Sequence, residues 1–314
     1  MAGNANFDAL LSTTLANYRN QLTDNVFTAR PLSAALMDKG RVRMVSGGTK
    51  IVEPLIYGQN STVGSYSGYE TISLTPQDGV SAAEYDWKQY AASIAISGIE
   101  EAKNNGEAEI INLLEAKIMQ AEESMREGFN QMFFGDGTGN SGKDWLGLGA
   151  IVESENTVGG INSAAAQGND WWRSYEENTS TALTVAQMNT AYNSISVGND
   201  HPDLLMTTQT LFEKYESLLQ PALRFTDTKY ADMGFQNMLF KAAPVMYDVH
   251  CTAGVFYFLN TKYLTLVGHS DKWFQQTEFI RPENMDARYA LIMCYGNLTC
   301  RNRAKQGKLT AKTA

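Results

Sequence analysis

Apolar positions between residues 6 and 22 recur at Phe7, Leu10, Leu11, Leu15, Tyr18 and Leu22, a spacing that predicts an amphipathic helix. A second, short helix is expected from Pro31, which suits a first turn, to Gly40, which suits a stop; Leu32, Ala35 and Leu36 form its apolar side. Two such pieces enclose no core and need another surface to lie on. From Arg41 to Ser97 helical periodicity disappears. Val42, Met44 and the run Ile51 to Ile56 read as strand. On the return, Tyr85 and Trp87 alternate with Glu84, Asp86 and Lys88, and then Tyr90, Ala92, Ile94 and Ile96 alternate with small residues. The parity changes near Gln89, which predicts a bulge or sharp twist there. Between Tyr57 and Tyr69 lie three tyrosines, three glycines, three serines and one aliphatic, Val63, too little apolar area to offset the entropy of ordering the segment. The pattern predicts a long two-stranded arm with a tyrosine-rich tip. A lone hairpin is marginal in water, so support from another molecule is expected.

The clearest helix runs from Glu107 to Phe134. Its apolar stripe is Ile110, Leu114, Ile118, Ala121, Met125, Phe129 and Met132. Asn104, Asn105 and Gly106 supply start signals, and at about 1.5 Å per residue the helix reaches roughly 42 Å. Gly128 interrupts the stripe and the helix has no second like it, so a spine packed on a sheet is preferred to a coiled coil. The helix runs into GTGNSGKD, Gly137 to Asp144, which falls one residue short of a phosphate-cradling loop. Such a loop needs a strand before it and a helix after it. Here a helix comes first, Gly135 is expected to cap it in the left-handed conformation, and DWLGLGAIV is too glycine-broken to follow as a helix. Asp144 replaces the magnesium-binding hydroxyl, and Ser141 sits where a calcium loop needs glycine. The segment reads as a turn.

Residues 152–183 are polar and weakly patterned, with Trp171 and Trp172 expected to anchor a loop; a stacking site for a base or sugar is the alternative. A compact α/β unit is expected from Thr184. Val185, Met188, Tyr192 and Ile195 share a helix face, and Leu204 to Met206 form a buried strand. Thr210 and Glu213 offer a capping box for a helix carrying Leu211, Phe212, Tyr215, Leu218 and Leu219. Strands follow at Ala243–Tyr247, Gly254–Leu259 and Tyr263–Val267. Ala290 to Thr299 gives a long buried strand beside the spine helix.

At 314 residues the chain can bury a large core, and its apolar content of 43% belongs to an ordered globular protein. No apolar run long enough to cross a membrane occurs, and the first residues lack a secretory signal pattern, so synthesis in the cytosol is expected. Cys251, Cys294 and Cys300 have neither disulfide-framework nor zinc spacing and read as reduced interior thiols; His201, His250 and His269 provide no metal pair. No cofactor or metal is expected. The net charge of −9 argues against a lysine-coated nucleic-acid reader. Arg301, Arg303, Lys305, Lys308 and Lys312 follow one another without an acid, leaving residues 1–300 at −14. This tail is expected to be solvated and partly mobile, the alternative being contact with a polyanion or an acidic neighbour.

The order of helical arm, β-arm, spine helix, glycine turn, α/β unit and closing strands resembles the major capsid proteins of tailed bacteriophages. These share the Hong Kong ninety-seven-type fold with encapsulins and the herpesvirus capsid floor. The resemblance is carried by Gly47–Ile72, Asp86–Gly128, GDGTGNSGKDWLGLGAIV, GFQNMLFKAAPVMYD and YFLNTKYL, and spans about residues 25–309. It implies an α+β fold with an N-terminal arm at 1–43 and an extended β-hairpin loop at 44–98. A peripheral domain at 99–183 and 268–314 and an axial domain at 184–267 would complete it. It also implies a shell of hexamers and pentamers around double-stranded DNA, in a virion assembled in the bacterial cytoplasm, with a portal and scaffolding or cement proteins as partners. The arm begins almost at residue 1, so a separate scaffold or none is expected. Lys50 and Lys88 lie in or beside the β-arm, but no residue matches the isopeptide cross-link of some relatives. Tyr57, Tyr66 and Tyr69 are the candidate intersubunit contacts, packing on the chain's own body being their other role. No catalytic residue is assigned. A nanocompartment shell is the nearest alternative, and a hydrolase using Glu122 with Glu123, or Asp86 with Glu84, the remote one.

Overall fold

The computed structural model describes residues 30–103, 107–219, 231, 237–283 and 285–314, with the side chains of 101–115 left out. The helix read over residues 6–22, the start signals at 104–106 and the side chains of Ile110 and Leu114 lie outside the described residues.

Pro31 opens helix α1 (Pro31–Asp38) at its first turn and Gly40, at φ +62°, closes it, as expected. Strand β1 (Val42–Val45) leads to a hairpin of β2 (Ile51–Ile56) and β3 (Val80–Tyr85), and then come β4 (Lys88–Ser97) and the short helix α2 (Gly98–Lys103). The spine helix α3 spans Glu107–Phe134, the bounds its periodicity predicts, and buries Ile118, Ala121, Met125, Phe129 and Met132. After it come β5 (Thr157–Val158), β6 (Ile161–Asn162), β7 (Tyr175–Ala182), α4 (Val185–Ile195), β8 (Leu204–Thr207) and α5 (Gln209–Leu218). The chain ends in β9 (Asn237–Phe240), β10 (Ala243–Tyr247), β11 (Phe256–Leu259), β12 (Leu264–His269), β13 (Gln275–Gln276), β14 (Ala287–Cys300) and β15 (Gly307–Thr313).

Two sheets organise these elements. The first runs β1-β12-β14-β13, with β4 antiparallel to β14 along ten residue pairs, Lys88 to Ser97. The spine helix packs on β4, and Ile94, Ile96, Met125, Phe129, Phe274, Ile292 and Cys294 meet in one core. The second sheet runs β7-β15-β11-β8-β10-β9. Its middle strands are buried on both faces, which is why LLMT and FYFL read as unbroken apolar runs. Leu205, Phe256 and Phe258 face α4 and α5, whereas Leu204, Met206, Tyr257 and Leu259 turn to the core that contains the spine helix. Sheet membership cuts across the expected segments: β12 belongs to the first sheet, while β7 and β15 flank the strands of the α/β unit.

Several expectations are corrected. The parity change is a break at Asp86 and Trp87, where the chain leaves the hairpin and joins the first sheet; Asn297 Nδ2 donates to the Asp86 carbonyl at 2.9 Å and pins it. The return strand is therefore shared between hairpin and body. Gly135 is not left-handed: its N–H closes the helix on the Gln131 and Met132 carbonyls, and the left-handed residues are Gly137, Asn140, Ser141 and Gly142. Gly147 and Gly149 instead seal the end of the spine, because a Cβ on Gly147 would lie 2.3 Å from the Met132 oxygen. No capping box forms at Thr210, since Thr208 is the N-cap and Glu213 accepts from Gln209. The box forms at Thr184 and Gln187.

The basic tail is the largest correction. β15 is an inner strand between β7 and β11, not a solvated terminus. Lys308 pairs with Glu153 at 2.6 Å and Glu176 at 3.4 Å, and Lys312 with Glu177 at 2.9 Å. Arg303 is fully buried and donates to the carbonyls of Ile151, Ala150 and Glu153, to Ser163 Oγ and to Asn156 Oδ1. Burial alone holds its guanidinium below the usual arginine range. These cations serve acids and carbonyls of their own chain. All three cysteines are free and buried, and desolvation pushes each thiol up, Cys300 to about 12.

Candidate assembly surfaces

The hairpin has a held base and a free end. Ile51, Glu53 and Leu55 point inward on β2, and Ala83 and Tyr85 do so on β3. With Ala150, Val158, Trp172 and Val267, all of these but Glu53 make a third apolar core. Glu53 is fully buried, and Arg43 and Arg301 both reach it, the latter at 2.7 Å. Tyr85 Oη donates to the Cys300 carbonyl at 2.7 Å, and Trp87 Nε1 donates to the Gly48 carbonyl at 2.9 Å. Burial pushes the Tyr85 phenol far up, so it remains a donor. The hairpin's root therefore rests on its own body, where the sequence suggests another molecule.

The opposite face is different in kind. Register pairs Val52 with Glu84, Pro54 with Ala82 and Ile56 with Val80, all pointing outward. Apart from the Glu84–Lys50 ion pair at the root, this face is apolar and in water, with Ile56 85% exposed. Gly58 and Gly79 close the neck, and beyond it the tip exposes Val63, Tyr66, Tyr69, Ile72 and Leu74. From residue 51 to residue 87 the chain carries five acids and no base.

The three candidate tyrosines separate. Tyr57 stacks on Trp171, centroids 4.8 Å apart and planes 18° apart, while Trp172 is buried and donates to the Val158 carbonyl. The tryptophan pair is the loop anchor the sequence suggests, and it also holds Tyr57. Tyr66 is 65% exposed and Tyr69 fully so. The outward stripe of Val52, Ile56 and Val80 was missed by sequence reading, although the unbroken apolar run at 54–56 signals a strand with two apolar faces.

Three of the four acids suggested for catalysis are engaged in ion pairs. Arg126 takes both Glu122 and Glu123, at 3.0 and 2.8 Å, and Lys50 takes Glu84 at 2.8 Å. A cavity of about 480 Å³ at the end of the spine is lined by Asp136 and Asp144, among others. The Thr138 N–H and hydroxyl hold the Asp136 carboxyl below the usual range, and Asn140 donates to Asp144 at 2.6 Å. Both acids shape the glycine turn.

No protein-family model and no curated protein sequence matches the chain. Solved structures do. A subunit of the cyanophage A-1(L) capsid superposes with a TM-score of 0.65 at 15% identity, covering 87% of this chain and 91% of that one. The capsid of a native GTA particle gives 0.58 at 13% identity, covering 89% and 90%. The SrpI encapsulin of Synechococcus elongatus PCC 7942 gives 0.56 at 10%, covering 87% and 85%. The fold is that of capsid-shell subunits. It is the α+β Hong Kong ninety-seven-type capsid fold.

Proposed function

We propose that the chain is the major capsid protein of a tailed phage, self-assembling as hexamers and pentamers into an icosahedral head around double-stranded DNA. The observation that carries this reading is the hairpin: its root is fastened to a shell-type body, yet its outer face and tip leave apolar and tyrosine side chains in water. Large exposed apolar patches mark surfaces meant for another molecule. A neighbouring copy would cover Val52, Ile56 and Val80 together with Tyr66 and Tyr69, and Tyr57 would swivel between Trp171 and that neighbour. The work is structural, not catalytic. Assembly in the bacterial cytoplasm, and a portal with scaffolding or cement proteins as further partners, belong to the same proposal. Contact with DNA would be sequence-independent and would not use the tail, whose cations are engaged within the chain.

Sedimentation and electron microscopy of the full chain test it. Large closed particles are expected, and removal of residues 59–78 should leave a soluble subunit that fails to form them. A small oligomer from the full chain, or normal particles from the truncated one, would count against the reading. The encapsulin likeness favours one second reading, a cargo compartment of the same fold; particles filled with a protein rather than DNA would select it.

A further inference from the structure

Residues 39–50, KGRVRMVSGGTK, carry four cations and no acid. Two of them are matched one to one: Lys39 pairs with Asp203 at 2.7 Å and Lys50 with Glu84 at 2.8 Å. The other two, Arg41 and Arg43, are alternate residues where the chain enters β1, so their side chains leave the same face of the first sheet. Arg43 shows which face. It reaches Glu53 at the root of the hairpin, on the side opposite Val42, which packs on the core of the spine helix. The Glu53 carboxylate is fully buried, and its second oxygen takes Arg301 Nε at 2.7 Å. Arg43 keeps 37% of its side chain exposed, and its buried Nε has no partner. Arg41 is partly exposed; its Nε is also without a partner, and no carboxylate among the described residues pairs with it. Three guanidiniums thus share one carboxylate, an excess of two positive charges on an acidic chain.

We propose that Arg41 and Arg43 are the chain's contact with double-stranded DNA, holding backbone phosphates by charge and not by base sequence. The inference rests on the shell reading above and gives its DNA contact named residues. Arginine presents its N–H groups as a planar fork that matches a phosphate, and it keeps its charge at any working pH. Alternate residues on a strand have their roots about 6.6 Å apart, comparable to the separation of successive phosphates along one DNA strand, so each guanidinium takes a phosphate of its own. A single carboxylate from a neighbouring chain would satisfy one arginine and leave the other. Arg301 completes the arrangement from inside: by pairing with Glu53 it cancels the one acid at the patch and leaves the charge of Arg41 and Arg43 to face outward.

Fluorescence anisotropy of a labelled DNA duplex of about 20 base pairs and arbitrary sequence, titrated with the full chain, reads the contact. Arg41 has no partner within the chain, so R41Q tests binding without loosening the hairpin root. R41Q should bind about three- to tenfold more weakly than the parent near 0.05 M salt, and the slope of log affinity against log salt should shrink by about one. R41K should keep the parent's slope. K143Q, which removes an exposed cation from the glycine turn, should stay within about twofold of the parent. Binding by R41Q equal to the parent's, or an equal loss in K143Q, overturns the patch. The failure of the shell reading looks different: weaker duplex binding by R41Q in a chain that forms no particles sustains the patch and removes the shell. Unchanged duplex binding with fewer particles from R41Q would assign the arginines to an acidic segment of a neighbouring copy, and overturns the proposal too.

Discussion

Gly128 shows what a single position decides. It sits inside the apolar stripe of the spine helix, where a glycine costs helix stability relative to alanine. An added Cβ would lie 1.9 Å from Tyr90 Oη and 3.0 Å from Tyr90 Cζ, so the gap in the stripe is the seat of a tyrosine from β4. That tyrosine packs edge-on against Phe129 at 4.7 Å, and burial, with Asp144 nearby, pushes its hydroxyl up. Replacing Gly128 with Ala should lower stability by about 1–3 kcal/mol in urea titration despite the better helix propensity. Adding Y90F should recover part of the loss, since it removes the nearest atom. Asp200 decides something different. Burial pushes its carboxyl up, but the Tyr263 hydroxyl at 2.5 Å, the Asn260 amide at 2.9 Å and Lys262 outweigh that and hold it below the usual range. Burial and Asp200 in turn push Tyr263 up to about 12. A carboxyl depressed in the folded state adds stability above the ordinary carboxylate range and loses it as pH falls through the depressed value. D200N should therefore weaken the fold near neutral pH and flatten its acid dependence below about pH 4, read from urea midpoints across a pH series. An unchanged acid slope would mean that Asp200 contributes nothing to it.

Elements were legible where their pattern is local. The spine helix has its predicted bounds because a stripe at helical spacing repeats over about six turns, and α1 has its ends because Pro31 and Gly40 restrict the backbone there. Strand β7 was missed because YEENTSTA has no apolar face; it forms by hydrogen bonding to β15 and by pairing Glu176 and Glu177 with Lys308 and Lys312. Burial would raise the Glu176 carboxyl, but Ser154 and Lys308 hold it low. The hairpin was half legible. Its strands follow from alternation, whereas its support does not, because Val158, Trp172 and Cys300 lie far along the chain. The difference has a measurable consequence. The Tyr57 N–H donates to the Gly79 carbonyl at 3.0 Å, so the neck is already closed, and joining Gly58 to Gly79 leaves a three-residue connection, Tyr57-Gly58-Gly79, between the paired Ile56 and Val80. The shortened chain should unfold within about 1 kcal/mol of the parent, since the inner face against Trp172 is untouched. A loss of several kcal/mol would mean that the tip, and not the root, holds the hairpin.

At the scale of the whole molecule, the arrangement of strands hides in contacts between distant residues. β15 joins β7 across more than a hundred residues, and that pairing turns the base-rich C-terminal segment inward. The net charge of −9 therefore comes with few free cations from the tail to draw copies together. If copies associate as proposed, two forces compete: apolar burial at the outer face of the hairpin, and repulsion between acidic bodies. The hairpin itself sharpens the contrast, since residues 51–87 hold acids and no bases. Salt separates the two because the screening length falls from about 10 Å at 0.1 M to about 3 Å at 1 M, while apolar burial is little affected. If apolar contact drives association, raising salt from about 0.05 to about 0.5 M should strengthen assembly, seen as more light scattering and less slow-sedimenting subunit. If the acidic hairpin instead docks on a basic patch of its neighbour, the same change should dissolve the particles. Dissolution would remove Val52, Ile56 and Val80 as the driving surface and move the search to the exposed cations of the neighbouring body.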